Sequence, residues 1–475
     1  MHSVADSLAR LGDLARSATV STLASAFAGA GYELALVGGP VRDALLDRPV
    51  HDLDFTTDAR PDDILRVVSP LADAVWDIGR QFGTIGARFG EDTVEITTYR
   101  TDSYDGTTRK PDVEFGDTLE GDLLRRDFTV NALALRIPEV KLVDPSGGVE
   151  HLLSRTLTTP STPAISFGDD PLRMMRAARF TSQLGFTVDD ETKDAMAELA
   201  DRIEIVSAER VRDELSKLLC TDDPRPGIEL LVSTGLAAQV IPEIPALRLE
   251  IDEHHHHKDV YQHSLTVLDQ AIGYEKERHP GEAPDLVLRL AAILHDIGKP
   301  ATRKLEPGGV VSFYHHDVVG AKLAKKRLTA LRFDKATIDS VSRLIELHLR
   351  FFGYADASWT DSAVRRYIRD AGPELERLHM LTRADVTTRN RRKADRLGFA
   401  YDDLEARIAE LKEKEELDAV RPDLDGEQVM RILGLKPSRE VGLAMKFLLE
   451  LRLDDGPLGE EEATRRLLAW WDEQH

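Results

Sequence analysis

The chain has 475 residues, with 62 Lys and Arg against 84 Asp and Glu, which gives a formal net charge of −22 at pH 7. This length allows about three domains, and the negative charge argues against a protein that coats nucleic acid non-specifically, so any RNA contact must be local. The single cysteine, Cys220, excludes an intrachain disulfide framework and fits a reducing compartment. We expect it to be a small buried side chain.

No apolar stretch is long enough to span a membrane, and the N-terminus lacks a basic region followed by an apolar core. We therefore expect a cytoplasmic protein with no membrane partner. Residues 5–30 predict a helical lead-in, and strand and helix patterns alternate up to residue 160. The predicted fold class is α+β, with a small mixed-sheet head, an all-α neck, a helical body and a helical tail. The predicted boundaries are 1–160, 161–245, 246–400 and 401–475.

The first motif is LALVGGPVRDALLDRPVHDLDF, residues 34–55, which predicts a strand, a glycine turn, a short helix and a second strand. Two adjacent glycines, of which Gly39 is the second, permit a tight turn, and Pro40 suits the first position of a helix over Val41–Leu46. The first turn of such a helix has unpaired backbone N–H groups, and Arg42 adds a full positive charge beside them. This segment is therefore predicted to bind phosphate.

Paired carboxylates follow on the second predicted strand. Asp52 and Asp54 are two residues apart, so both project from one face of the strand and can share a divalent metal ion. Glu95 lies in VEITTYR, and it becomes a third metal ligand if its strand lies beside that of Asp54; the alternative is a cross-strand partner for an arginine. A glycine turn or an Asp-x-Asp pair alone is usually uninformative, but phosphate cradle followed by paired carboxylates is the order of a nucleotidyl transferase.

In this order the sequence resembles the polymerase-β-like nucleotidyl transferases, specifically the bacterial-type CCA-adding enzymes and their poly(A) polymerase relatives. The resemblance implies transfer of nucleotides from CTP and ATP to the 3′ end of tRNA, with Mg²⁺ held by Asp52 and Asp54. Arg126, in LLRRDFTVNALAL, matches the family position that binds the triphosphate. Asp127 and Asn131 would then lie near the sugar.

The polar stretch 101–117 predicts a mobile hairpin loop. The resemblance implies that this loop takes part in the switch to the last nucleotide, with Arg109 and Asp112 as its charged contacts.

Charged residues recur every third position in DDPLRMMRAARF, and these are Asp170, Arg173, Arg176 and Arg179. Apolar residues between them predict a buried helix whose charges need partners, and a nucleotide would be such a partner. The alternative is salt bridging on a surface helix. CCA-adding enzymes carry Glu-Asp-x-x-Arg here, so the resemblance implies that Asp170 and Arg173 pair with the base, although Asp169 replaces the usual Glu. Arg176 and Arg179 would hold the pocket or the phosphates, and Arg210 would brace the helix.

Histidines characterise the helical region after Ile251. An adjacent His-Asp at the end of an apolar helix, with a His upstream and an Asp downstream, is the ligand order of the HD metal-dependent phosphohydrolases. The ligands in that order are His263, His295, Asp296 and Asp385, with His316 and His348 placed to bind a second ion. Such ligands suit Mn²⁺, Ni²⁺, Fe²⁺ or Zn²⁺. The alternatives are core histidines and a helical scaffold that only carries tRNA, and His254–His257 are assigned no role.

Two further basic runs, Lys322–Arg332 and Arg389–Lys393, are either solvated helix faces or local RNA contacts. Trp470 and Trp471 follow an amphipathic pattern and are expected to be packing anchors.

The leading hypothesis is an enzyme that adds CCA to tRNA without a nucleic-acid template, with a possible additional phosphohydrolase activity. The alternatives are a poly(A) polymerase, an enzyme that adds only CC or only A, and an HD phosphohydrolase with a degenerate RNA-binding head. Retention of Gly39 disfavours the poly(A) polymerase, and the intact stretch 101–117 favours full CCA addition. The sequence predicts no oligomeric state.

Overall fold

The computed structural model describes residues 4–50, 52–103, 112–248, 259–307, 311–356, 359–387, 391–415 and 421–474. The chain forms two compact units, Met1–Pro242 and Glu243–His475. The three predicted boundaries between the four domains stay predictions, and the one at 400/401 falls inside a continuous helix, Arg391–Glu415.

The head in the first unit is built on a mixed sheet, as predicted. Its strands are β1 (Leu34–Val37), β2 (Leu53–Thr57), β3 (Ala74–Trp76), β4 (Thr84–Phe89), β5 (Asp92–Thr98), β6 (Arg100–Ser103), β7 (Asp112–Phe115), β8 (Ala134–Ile137), β9 (Lys141–Val143) and β10 (Thr156–Leu157). The main sheet has the order β3-β4-β5-β2-β1-β8-β9, and β6 pairs with β7. The β2–β5 pair is parallel, whereas β1 pairs with β2 and β8 antiparallel.

The register of the sheet positions the predicted carboxylates. Asp54 on β2 is the direct partner of Glu95 on β5, so their side chains project from the same face. Leu53 and Phe55 are buried on the other face, as the alternating pattern predicted. The strand starts at Leu53, so Asp52 precedes it instead of lying within it, and its side chain is exposed.

In the described residues of the head, six α-helices accompany the sheet. They are α1 (Val4–Arg16), α2 (Ala18–Ala30), α3 (Gly39–Leu45), α4 (Pro61–Val68), α5 (Leu119–Leu124) and α6 (Gly148–Ser154). Among them, α2, α3 and α4 pack directly against the sheet because their apolar faces need burial. The helix after the glycine turn begins at Gly39, two residues before the predicted start. Gly38 before it has φ of 67°, and a Cβ there would lie 3.3 Å from Arg126 Nη1, so the turn requires glycine.

The neck is helical, as predicted, apart from one short strand, β11 (Thr187–Val188), which pairs in parallel with β10. Its helices are α7 (Pro163–Asp169), α8 (Leu172–Phe180), α9 (Asp190–Glu198), α10 (Ala208–Leu219), α11 (Arg225–Ser233) and α12 (Leu236–Val240). A π-helical turn, Thr181–Gly185, extends α8. Cys220 directly follows α10 and is half-buried, whereas full burial was predicted.

In its described residues the second unit is helical apart from two short antiparallel strands, β12 (Lys304–Leu305) and β13 (Val311–Ser312). Its helices are α13 (Val260–Arg278), α14 (Leu286–Leu294), α15 (Lys299–Thr302), α16 (His316–Ala330), α17 (Lys335–Leu347), α18 (Arg350–Asp356), α19 (Asp361–Ala371), α20 (Leu375–Asp385), α21 (Arg391–Glu415), α22 (Gly426–Leu433), α23 (Arg439–Asp455) and α24 (Glu460–Gln474). Several helices start at side-chain caps, among them Asp259, Asp285 and Asp334, which accept hydrogen bonds from backbone N–H groups of the first turn.

The C-terminal helices have a core of their own around Val429, Leu448 and Leu467. The Trp470 ring stacks on Phe447 with ring centroids 4.9 Å apart, which confirms the predicted packing role of Trp470. Within the described ranges, none of the helices has the length and apolar character needed to cross a bilayer. The expected cytoplasmic location stays a prediction.

Candidate active site and candidate metal centre

A cavity of about 460 Å³ in the first unit brings together most of the residues predicted for nucleotide transfer. Its lining includes the predicted site residues Gly39, Arg42, Asp52, Asp54, Arg126, Arg176 and Arg179, with Asp127 and Asn131 beside them. Gln183 and Lys217 also line it and were not predicted. Glu95, Asp170 and Arg173 are not part of this lining.

Arg42 is held rigidly at the start of α3. Its side chain is only 5% exposed, and its Nη1 donates to Asn131 Oδ1 at 2.6 Å while its Nε donates to Asp43 Oδ1 at 2.9 Å. These bonds fix the guanidinium beside the glycine turn. The positive charge predicted from the motif is therefore at the cavity wall, next to the first turn of α3.

The carboxylates carry uncompensated negative charge. Burial and the neighbouring charge of Glu95 raise the pKa of Asp54 to about 6, although Arg126 and Arg42 act in the opposite direction. A divalent cation would relieve this repulsion, so Asp52 and Asp54 fit a metal chemically. Glu95 is exposed, and in the described part of the chain the three carboxylates are not among the groups whose ligand atoms all lie within 4.8 Å of one another. Glu95 as a third ligand stays a prediction.

Asp122 on α5 holds several residues of the site in place, and the sequence motifs did not predict it. Its buried carboxylate accepts from Arg126 Nη2 at 3.1 Å and Arg125 Nη2 at 3.0 Å. It also accepts from the backbone N–H of Arg100, the first residue of β6, at 3.2 Å. One carboxylate thus orients the arginine predicted to bind triphosphate and anchors the β6–β7 hairpin.

Asp127 joins the head to the neck helix α8. It accepts from Asn131 Nδ2 at 3.1 Å and from Arg176 Nε at 2.7 Å. Burial alone would raise the pKa of Asp127, but the charge of Arg176 and these hydrogen bonds lower it to about 2. Asp127 is therefore ionised at neutral pH and fixes Arg176 at the cavity.

Arg176 and Arg179 of α8 have carboxylate partners within the protein, as charges on a buried helix require. Arg179 Nε donates to Glu214 Oε2 at 2.7 Å, and Arg176 also lies 3.5 Å from Glu214 Oε1. Glu214 is 4% exposed on α10. The sequence contained an indication that Glu214 is buried and paired, because this residue lies among apolar residues on one face of an amphipathic helix. A nucleotide would thus be a further partner of this network.

The predicted base-reading pair is placed at the start of α8. Arg173 Nη2 donates to the Arg125 carbonyl at 2.6 Å, and its Nη1 donates to Ser166 Oγ at 2.9 Å. Asp170 lies between α7 and α8 and accepts from Arg210 Nη2 at 2.9 Å. Arg210 thus contacts Asp170 in the way its predicted bracing role requires.

In the second unit, helix ends bring six predicted ligands together as two groups whose ligand atoms lie within 4.8 Å of one another. The first group is His263, His295 and Asp385, and the second is Asp296, His316 and His348. The two Asp296 oxygens connect the groups, since Oδ2 lies 3.3 Å from His295 Nε2 and Oδ1 lies 3.3 Å from His316 Nε2.

Three of the histidines are oriented as metal ligands usually are. The Nδ1 atoms of His295, His316 and His348 lie 2.8, 2.8 and 2.6 Å from the carbonyl oxygens of Ala292, Phe313 and Ile345, respectively. A carbonyl can only accept, so each Nδ1 donates a hydrogen bond to it, and Nε2 is the nitrogen left to bind a metal ion through its lone pair after losing any proton it carries. Among the residues that the structure describes, the buried Nε2 atoms of His295, His316 and His348 have no hydrogen-bond partner. The donor set therefore fits divalent transition metal ions.

Close backbone packing and charge shape this cluster. A Cβ on Gly298 would lie 2.0 Å from the His316 carbonyl oxygen, so only glycine lets α16 approach the His-Asp turn. Burial alone would lower the pKa of His295, but the negative charges of Asp296 and Asp385, whose oxygens lie 3.3 and 3.5 Å from its Nε2, raise it to about 10. A bound cation would take over the compensation that this proton provides. Lys299 Nζ lies 2.6 Å from Asp296 Oδ2, so its ammonium group is a second positive charge beside this carboxylate.

Some predicted residues cannot be placed. Arg109, His254–His257 and the start of Arg389–Lys393 lie outside the described residues, and Asp112 is described only as the first residue of β7. In the other basic run, Lys322, Lys325 and Lys326 are exposed on α16. Their proposed contact with RNA stays a prediction.

Comparison with protein-family models gives three matches. Residues 34–158 match the poly A polymerase head domain. Residues 185–247 match a family described as the probable RNA and SrmB-binding site of polymerase A. Residues 260–390 match the HD domain.

Of the following three curated relatives, the first two match over nearly the whole chain and the third over less than half of it. The A-adding tRNA nucleotidyltransferase of Deinococcus radiodurans is 35% identical over 450 residues, which cover 93% of this chain and 96% of the relative. The CC-adding tRNA nucleotidyltransferase of Thermus thermophilus is 30% identical over 92% of this chain and 93% of its own. A CCA-adding enzyme of Geobacillus is 44% identical, over 43% of this chain and 50% of that enzyme.

Among solved structures, the CCA-adding enzyme of Bacillus stearothermophilus in complex with CTP superposes with a TM-score of 0.67 at 23% identity, covering 95% of this chain and 96% of the other. At this identity the match establishes the fold.

Proposed function

The chain belongs to the tRNA nucleotidyltransferase family, and we propose that it adds C, C and A to the 3′ end of tRNA from CTP and ATP without a nucleic-acid template. The observation that carries the proposal is the head cavity, in which the glycine turn, the carboxylate pair and the arginines meet. None of the predicted catalytic groups has been lost, so a degenerate head is disfavoured.

In this proposal each group has a separate task. Arg42 and Arg126 bind the triphosphate, and their fixed protein partners keep the guanidiniums in place before the nucleotide arrives. Asp52 and Asp54 hold Mg²⁺. When bound, Mg²⁺ lowers the pKa of the RNA 3′-OH and neutralises charge on the triphosphate. A side-chain base is then unnecessary.

Asp170 and Arg173 are proposed to select the base. Both residues lie at the N-terminal end of α8, the helix that also carries Arg176 of the cavity, and each is held by a hydrogen bond to a neighbouring residue. Such support keeps hydrogen-bonding groups in a defined position. Competition of GTP and UTP with CTP, measured with Asp170→Asn and Arg173→Ala, tests this role. Ser166→Ala is the matched control, because it removes one partner of Arg173 without removing the guanidinium.

Relatives of this chain include A-adding, CC-adding and CCA-adding enzymes, so the number of nucleotides added must be measured. Incubation with tRNA lacking its 3′ end, labelled CTP or ATP and Mg²⁺ gives this number directly. Addition of C, C and A supports the full reaction. Addition that stops after two C residues, or that occurs only on tRNA ending in CC, would replace it with a partial one.

The second unit is proposed to be a metal-dependent phosphohydrolase. The supporting observation is the pair of connected ligand groups with unpaired Nε2 atoms in their buried histidines. Nitrogen and oxygen ligands of this kind suit Mn²⁺, Ni²⁺, Fe²⁺ or Zn²⁺, which can supply a hydroxide near neutral pH. Hydrolysis of a 2′,3′-cyclic phosphate, measured with added Mn²⁺ or Ni²⁺, tests this activity. Turnover that Asp296→Ala does not remove, or no turnover, would leave this unit as a scaffold.

A further inference from the structure

Charge compensation in the head cavity singles out Lys217. Four arginines line the cavity, and each has a carboxylate partner: Arg42 with Asp43 at 2.9 Å, Arg126 with Asp122 at 3.1 Å, Arg176 with Asp127 at 2.6 Å and Arg179 with Glu214 at 2.7 Å. The fifth cation, Lys217, has no carboxylate within 4.0 Å among the residues that the structure describes. The ammonium of Lys217 can therefore bind a ligand without first giving up an ion pair with a protein carboxylate.

The helix that carries Lys217 explains its position. Arg210, Glu214 and Lys217 follow one another at spacings of four and three residues, so they share one face of α10. Arg210 reaches Asp170 and Glu214 reaches Arg179, which places this face against α8. Lys217 is one turn further along the same face, where α10 reaches the cavity wall.

From this arrangement we propose that Lys217 binds a phosphate group of a substrate in the cavity. A lysine ammonium is a compact charge that binds phosphate without a fixed geometry, and here it adds to arginines whose charges are already shared with carboxylates. The phosphate comes either from the triphosphate of the incoming nucleotide or from the backbone of the RNA 3′ end. The inference rests on the proposed nucleotide transfer.

The test compares Lys217→Ala and Lys217→Arg with wild type and with Lys193→Ala, an exposed lysine on α9 outside the cavity lining. KM for CTP and ATP is measured at saturating tRNA, and KM for tRNA at saturating nucleotide. Equilibrium binding of each substrate is measured separately, over a range of salt concentrations. The binding arms still decide the role of Lys217 if the chain proves unable to add nucleotides.

Lys217→Ala should raise one KM, with the matching Kd, about 5- to 10-fold, while kcat stays within twofold. A rise for CTP and ATP assigns the contact to the triphosphate. A rise for tRNA, with a salt slope reduced by about 1, assigns it to the RNA backbone. Lys217→Arg should keep most of the affinity and Lys193→Ala should match wild type. Unchanged affinities for both substrates, or an equal effect of Lys193→Ala, would show that Lys217 is an ordinary solvated lysine, and a change confined to kcat would equally refute the proposed phosphate contact.

Discussion

At the scale of single residues, Asp54 combines burial with like charge. Asp54→Asn keeps the size of the side chain but removes the charge that would hold Mg²⁺, so we expect nucleotide addition to fall at least about 1000-fold. Binding of tRNA should change by less than about twofold, because Asp54 does not need to contact RNA. Single-turnover addition and a tRNA binding assay measure the two effects. Glu91→Gln, at an exposed turn beside β5, is the control, and near-normal turnover of Asp54→Asn would refute the assignment.

Asp127 makes a prediction about pH. Its folded-state pKa of about 2 is below the ordinary value of 3.8, so its contribution to stability is complete above the unfolded-state value and is lost as pH falls through about 2. The shift corresponds to about 2 to 3 kcal/mol. Urea unfolding between pH 5 and pH 2 should show a smaller pH dependence for Asp127→Asn than for wild type. Parallel curves for the two proteins would contradict the prediction.

At the scale of secondary structure, Gly298 controls the approach of α16 to the His-Asp turn. Gly298→Ala places a methyl group where the His316 carbonyl oxygen lies, so α16 must move and His316 must separate from Asp296. We expect metal affinity of the second unit to fall at least about tenfold, since the ligand atoms of His316 and Asp296 lose their spacing.

Metal content after dialysis against Mn²⁺ or Ni²⁺ measures this effect. The matched control is Gly273→Ala on α13, where a Cβ would meet nothing within 4 Å. That substitution should leave metal binding unchanged. Equal metal content in the two variants would show that the close contact does not position the ligands.

Local sequence pattern predicted the elements better than their partners. Alternation located β2 and β5 because it depends on residues close in sequence. The ligands of the histidine cluster are far apart in sequence, and they were predicted from their resemblance to the ligand order of the HD phosphohydrolases. The partners of charged side chains did not follow in this way. Glu214 is 35 residues from Arg179, and no periodicity specifies which distant helix supplies a carboxylate. An acid on the apolar face of α10 was the available signal, and it indicated a buried partner without identifying it.

At the scale of the whole molecule, the two proposed activities should depend on different metals and different residues. After treatment with a chelator, Mg²⁺ should restore nucleotide addition, whereas Mn²⁺ or Ni²⁺ should restore hydrolysis of the cyclic phosphate, because the ligand sets are oxygen in one unit and nitrogen with oxygen in the other. Asp54→Asn and Asp296→Ala should each remove one activity and leave the other. Loss of both activities in either variant would contradict this separation.

The contacts of Asp122 also have a consequence for how such a sequence can change over generations. One buried carboxylate accepts hydrogen bonds from Arg125, Arg126 and the backbone of Arg100, so its loss alone removes a negative charge that two guanidiniums contact. A substitution of either arginine first would leave the acid partly uncompensated instead. Descendants of this sequence should therefore retain the acid and its arginines together or replace them together, and an alignment of homologues should show these positions covarying.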